Sequence, residues 1–168
     1  MSTSCTFNPA NRSITLLLIV ICYLMVGACG KTAQGESTRA ESQQVLTIST
    51  QGNQLAFDTS TLRAQGNSSI KLTLKNNSTN FEHNWVLVSG DTDIADQVYQ
   101  AALAAGDNRD FLPDEMSTVL THTEMVAAGQ QETIVFTAPA APGSYTFLCT
   151  FPGHYLAGMK GTLIVSAP

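Results

Sequence analysis

From residue 45 onward, apolar and polar residues alternate in short runs. The clearest sets Ile70, Leu72 and Leu74 against Lys71, Thr73 and Lys75, the period-two pattern of a strand with one buried and one wet face. Runs of the same kind occupy 45–49, 54–57, 84–88, 132–137, 144–149 and 161–166. Turn-forming clusters stand between them: Gln51-Gly52-Asn53, Gln65-Gly66-Asn67, Ala128-Gly129 and Ala141-Pro142-Gly143. Many short strands punctuated this way predict an all-β sandwich. One stretch departs from the pattern. Between 93 and 105, Ile94, Val98, Ala101, Ala102 and Ala105 share a helical face, with Asp91-Thr92-Asp93 before it and Gly106 after it. This predicts one short α-helix inserted between strands and packed on the outside of the sandwich. Trp85, followed by Val86 and Leu87, reads as core.

The N-terminal part follows different rules. Residues 14–28 form an apolar run after Arg12, too short for a spanning helix and suited to the hydrophobic region of a signal peptide. Val26-Gly27-Ala28-Cys29 fits a lipobox, in which Cys29 is diacylated after cleavage; ordinary signal cleavage at the same site and an uncleaved anchor are the alternatives. Residues 30–44 carry no large apolar side chain and read as a flexible tether, whose root-mean-square span would be roughly 20 Å for a coil of this length. The expected organisation is a signal peptide over 1–28, a lipidated cysteine and tether over 29–44, and one folded domain over 45–168. An exported protein held at the outer, periplasmic face of the cytoplasmic membrane is the corresponding location.

Charge and cysteine usage narrow the function classes. A net charge of -5 gives no electrostatic footprint for nucleic acid, which needs clustered Lys and Arg. Cys5, Cys22 and Cys29 all precede the folded part, so Cys149 is its lone thiol and an internal disulfide is impossible there. In an oxidising compartment such a thiol needs burial or a metal to protect it.

Cys149-Thr150-Phe151-Pro152-Gly153-His154-Tyr155-Leu156-Ala157-Gly158-Met159 gathers a thiol, an imidazole and a thioether on one Gly/Pro loop. Far upstream, His83 in Glu82-His83-Asn84-Trp85 offers a second imidazole, which meets the others only if the sandwich joins distant strands. Two nitrogens and a thiolate with a weak axial Met describe a blue-copper site, in which Cu(I) and Cu(II) exchange one electron with little rearrangement. Each residue alone has a duller reading: Cys149 and Met159 as core, His154 as a surface histidine. Their conjunction favours metal. Zinc competes for Cys and His but seldom takes Met in structural sites. A nucleophilic Cys–His pair lacks a legible orienting group. Asn84 either ties the His83 strand to the Cys149 loop by hydrogen bonding or is an ordinary capping residue.

These residues resemble the azurin-type cupredoxins, and among them the auracyanins of green filamentous photosynthetic bacteria. The resemblance runs over roughly 45–168 and rests on His83-Asn84-Trp85-Val86-Leu87, Thr121-His122-Thr123 before Gly129, and Cys149-Thr150-Phe151-Pro152-Gly153-His154 with Met159-Lys160-Gly161. It implies a Greek-key cupredoxin sandwich or barrel, one type 1 copper, strong ligands His83, Cys149 and His154, and Met159 as weak axial ligand. It also implies that the backbone N–H groups of Asn84 and Phe151 donate to the Cys149 sulfur. The His154 ring edge would reach the surface inside an apolar collar that includes Pro152, Leu156 and Ala157. Residue 82 is Glu where azurins have Gly, with a backbone carbonyl near the metal; the His154-to-Met159 interval is one residue longer than in azurins; and the azurin disulfide is missing. His122 matches a surface histidine and is expected to be solvent-exposed.

The resemblance further implies a monomeric, membrane-tethered carrier between a quinol-oxidising complex and the c-type cytochrome of a reaction centre. An oxidase or nitrite reductase would need more histidines than His83, His122 and His154, so no enzymatic role is expected. Copper storage or delivery is the competing function, and would require fast metal exchange.

Overall fold

Alternation turns directly into burial in strand β3 (Ser69–Lys75), where Ile70, Leu72 and Leu74 are fully buried and Lys71 and Lys75 are exposed. The structure, a computed structural model, describes residues 43–113 and 117–168; the signal, Cys29 lipidation and most of the tether expected over 1–44 lie outside the described residues. The remaining strands are β1 (Gln44–Ser49), β2 (Thr61–Gln65), β4 (Val86–Val88), β5 (Val119–His122), β6 (Gln131–Thr137), β7 (Gly143–Leu148) and β8 (Lys160–Ser166). They form a three-stranded sheet, β1-β3-β6, facing a five-stranded sheet, β2-β8-β7-β4-β5. The expected β-sandwich is the observed one.

Two pairings are parallel, β1 with β3 and β2 with β8; the rest are antiparallel. Between the sheets lie Ile48, Ile70, Leu72, Leu74, Trp85, Leu87, Phe147 and Leu163, and the same cluster continues without a break to Cys149 and Met159. Trp85 is fully buried between Phe136 and Phe147, at ring-centroid distances of 5.9 and 5.7 Å. Each such side chain stabilises the fold by about 1.5–3 kcal/mol through removal from water.

Helix α1 (Thr92–Ala105) is capped by Asp91, whose carboxylate accepts from the Asp93 N–H. It lies on the outside of the five-stranded sheet, as expected. Ala95, Val98, Tyr99 and Ala102 are its buried residues, and the first three pack with Val86, Val88 and Leu148. Ala101 and Ala105 are only half-buried, so the buried stripe is rotated toward Tyr99. The helix also explains why every residue of β4 is buried: Leu87 faces the sandwich core while Val86 and Val88 face α1.

Three strand expectations change. Residues 54–57 form bends, with one bridge from Phe57 to Thr50, because Phe57 turns inward onto Phe147 at 5.6 Å without a ladder partner. β2 and β5, unpredicted, are real strands. Residues 84 and 85 precede β4 rather than belonging to it.

Candidate metal centre

The donors converge because the sheet ends where they begin. His83 is fixed by a two-way backbone bridge with Val126, its N–H donating at 3.1 Å and its carbonyl accepting at 2.8 Å. Cys149 directly follows β7 and donates its N–H to the Met159 carbonyl at 3.1 Å, so the two stand opposite each other at the mouth of the β7–β8 hairpin. The loop between them is closed by Met159 N–H to the His154 carbonyl at 3.0 Å and His154 N–H to the Phe151 carbonyl at 3.1 Å. Gly153 (φ 84°) and Gly158 (φ 104°) make the two left-handed turns this path needs.

The donor atoms of His83, Cys149 and His154 lie within 4.8 Å of one another, and all three residues are buried. Cys149 Sγ is 3.8 Å from His83 Nδ1 and 3.5 Å from His154 Nδ1, and the two rings are 4.7 Å apart. Met159, held opposite Cys149, is fully buried. Among the described residues this is the group suited to a metal; His122 is not part of it.

Burial pushes the Cys149 thiol up to about 12, against the opposing pull of the Asn84 and Phe151 backbone N–H groups on its sulfur. These are the two N–H groups that the family resemblance leads one to expect beside the sulfur. Burial, and secondarily His154, lowers His83 to about 4, and burial lowers His154 as well. The site thus offers two neutral imidazoles and a thiol whose ionisation needs a compensating cation. That chemistry fits copper: nitrogen, nitrogen and soft sulfur with a thioether alongside are the donor set of a type 1 site.

Around the donors, Asn84 does tie the two segments together. Its Nδ2 donates to Thr150 Oγ1 at 2.7 Å and its Oδ1 accepts from the Thr150 N–H at 2.8 Å, all fully buried. The Glu82 side chain is exposed. His122 is half-buried rather than solvent-exposed, because it pairs with Val86 across β4–β5 and its Nδ1 lies 3.1 Å from the Thr123 carbonyl oxygen. His154 is also less exposed than expected, at 3%. The collar around it is exposed: Leu156 at 74%, with Pro152 and Ala157.

Sequence reasoning missed three participants. Phe81, 37% exposed, sets its ring edge-on to His154 at 5.8 Å. A large apolar residue ending the polar stretch 76–80 was the available signal. Tyr99 and Asp96 of α1 reach the ligand loop, the first through Gly153 and the second through Tyr155. Helical periodicity marks such residues as facing inward or outward but says nothing about what they meet.

Comparison with known proteins agrees with this geometry. Residues 44–166 match the family model of copper-binding proteins of the plastocyanin/azurin family. Auracyanin-A of Chloroflexus aurantiacus is 33% identical over 159 residues, covering 92% of this chain and 97% of that protein. Auracyanin-B of the same organism is 40% identical over 124 residues, covering 73% of this chain and 52% of that relative, so the match spans about half its length. The crystal structure of reduced auracyanin from Roseiflexus castenholzii superposes with a TM-score of 0.71 at 42% identity, over 73% of this chain and 97% of that one.

Proposed function

Because the chain belongs to the plastocyanin/azurin family of copper-binding proteins, we propose that it is a one-electron carrier built on a single type 1 copper, tethered to a membrane and shuttling between protein partners. The observation that carries this reading is the buried convergence of His83, Cys149 and His154 donor atoms within 4.8 Å, with Met159 beside them. Copper held there supplies a Cu(I)/Cu(II) couple; everything else is done by the chain. His83, Cys149 and His154 would hold the metal, with the Met159 thioether as a weaker fourth donor. The Glu82 backbone carbonyl, next in the chain to His83, would be a further oxygen donor if it faces the metal. The Asn84 and Phe151 N–H groups damp the charge on sulfur, which raises the potential at which the site accepts an electron.

Burial keeps water away from the thiolate, so the dielectric response to a change of charge is small. His154 is the strong ligand nearest the surface, and the exposed Leu156, Pro152, Ala157 and Phe81 around it make an apolar landing place for a redox partner. By the family resemblance those partners are a quinol-oxidising membrane complex and a c-type cytochrome, and the Cys29 lipobox supplies an anchor on the periplasmic side. Storage or delivery is disfavoured by the same burial, since metal held by buried donors exchanges slowly.

The test is the optical and paramagnetic-resonance spectrum of the chain loaded with Cu(II). Intense red-light absorption with narrow copper hyperfine splitting is expected. A pale or colourless protein, or one that passes its metal rapidly to a chelator, would defeat the reading.

A further inference from the structure

His154 is the donor outside the sheet ladders, its own backbone bonded only to Phe151 and Met159 at the two ends of its loop. His83 is bridged to Val126, and Cys149 and Met159 are bonded to each other where β7 and β8 part. His154 sits out on the connecting loop, and the residues on both sides of it are gripped by α1. The Gly153 N–H donates to Tyr99 Oη at 2.7 Å. The Tyr155 hydroxyl donates to Asp96 Oδ1 at 2.6 Å. The Tyr99 and Tyr155 rings pack at 5.1 Å with only 1% and 3% exposure, and Lys160 Nζ lies 4.6 Å from the Tyr155 ring centre.

Seating the helix does not require these bonds. Ala95 and Val98, with half-buried Ile94, already pack it on Val86, Val88 and Leu148. Apolar packing is non-directional, whereas one directional bond to the Gly153 backbone and a second to the Tyr155 side chain restrain the segment on both sides of His154. Gly153, at φ 84°, presents its N–H to the helix instead of to a loop carbonyl. The ring of His154 meanwhile has to meet Cys149 Sγ at 3.5 Å, and small displacements of a loop-borne ligand are what a supporting shell prevents.

We infer that α1 is a positioning clamp for His154: Tyr99 and Asp96, acting through Gly153 and Tyr155, hold the imidazole in one approach to Cys149 and so keep electron exchange fast. The inference rests on the electron-carrier reading and goes beyond it, because it gives the inserted helix a part in the redox function.

The experiment uses the full chain with Tyr99→Phe, Asp96→Ala and Asp96→Asn. Phenylalanine keeps the ring and removes the acceptor of Gly153; asparagine keeps an oxygen that accepts from Tyr155 and alanine does not. In the metal-free chain, hydrogen exchange at the Gly153 amide is expected to rise about tenfold in Tyr99→Phe, with sheet amides such as Leu72 unchanged. In the copper-loaded chain, Tyr99→Phe and Asp96→Ala are expected to shift the charge-transfer band and slow electron self-exchange by about tenfold, and Asp96→Asn to restore most of both. Variants that melt earlier yet keep the parent's spectrum, potential and exchange rate would overturn the clamp and leave α1 a plain buttress. A parent that is itself colourless would overturn the electron-carrier reading and the clamp together, and the parent's spectrum alone distinguishes that failure from the other.

Discussion

The two imidazoles of the site are held by opposite strategies. His83 sits beside a fully buried Trp85, on backbone bridged to Val126, and its far nitrogen, Nε2, has no hydrogen-bond partner. Its placement is a by-product of sheet register and core packing. His154 rides a loop with exposed Pro152, Gly153, Leu156 and Ala157 around it and is steadied by hydrogen bonds from a helix. A sheet can deliver a ligand as a consequence of folding, while a loop needs dedicated supports. On the electron-carrier reading proposed above, the same division assigns the tasks: the sheet-held side is sealed within the core, and the loop-held side is the one a partner would meet.

The sharpest way to break the comparison is to remove the donor at the junction. Cys149→Ser should abolish the thiolate-to-copper absorption completely while leaving far-ultraviolet dichroism of the metal-free chain unchanged; persistence of an intense red-light band would show that the sulfur is not a ligand. Next in size is the link between the halves. Asn84→Ala strips Thr150 of two buried partners and should cost about 2–3 kcal/mol in chemical denaturation, since an orphaned buried donor bears its full desolvation penalty. A loss below half a kcal/mol would mean that water replaces the amide and that Asn84 is no strut.

A third test uses pH on the metal-free chain. His83 in the fold resists protonation down to about 4, whereas the unfolded chain takes the proton near 6.5, so stability is full above 6.5 and falls as pH drops toward 4. His154 adds to the same trend. Cys149 works at the other end: unfolded it ionises near 9, folded only near 12, so stability falls as pH climbs from 9 toward 12. Denaturation midpoints that stay level from pH 7 to 5 would mean the buried imidazoles are reached by solvent. The smallest structural effect belongs to the collar. Leu156→Glu should leave spectrum and stability within about 0.5 kcal/mol of the parent, as surface changes do, yet slow electron exchange with a redox partner. An unchanged bimolecular rate would move the contact surface elsewhere.

Much of this was legible beforehand, for reasons that differ by residue. β3 announced itself because Ile70, Leu72 and Leu74 bury one face completely, and the ligand loop because three donor types rarely cluster by accident. β2 was hidden: Leu62 and Ala64 are its only inward side chains, Arg63 gives its outer face a loop-like look, and its partner β8 lies far along the chain. Residues 54–57 misled because Phe57 is buried by packing on Phe147, and burial imitates a strand's pattern without its hydrogen bonds. The hold of α1 on the loop was beyond reach, since Tyr99 and Gly153 are joined by tertiary geometry that no local pattern encodes.

The parallel pairing of β2 with β8 also sets an order of events. Thr61 must wait for Thr162, about a hundred residues later, and pairings of such long sequence separation are among the slow steps of folding. The thiol, both loop donors and the strand that closes the larger sheet all emerge from synthesis after His83 has long been available. For this domain the donor set is therefore completed late, and the interval before the larger sheet closes over it is when Cys149, fully buried once folded, stands most open to oxidants.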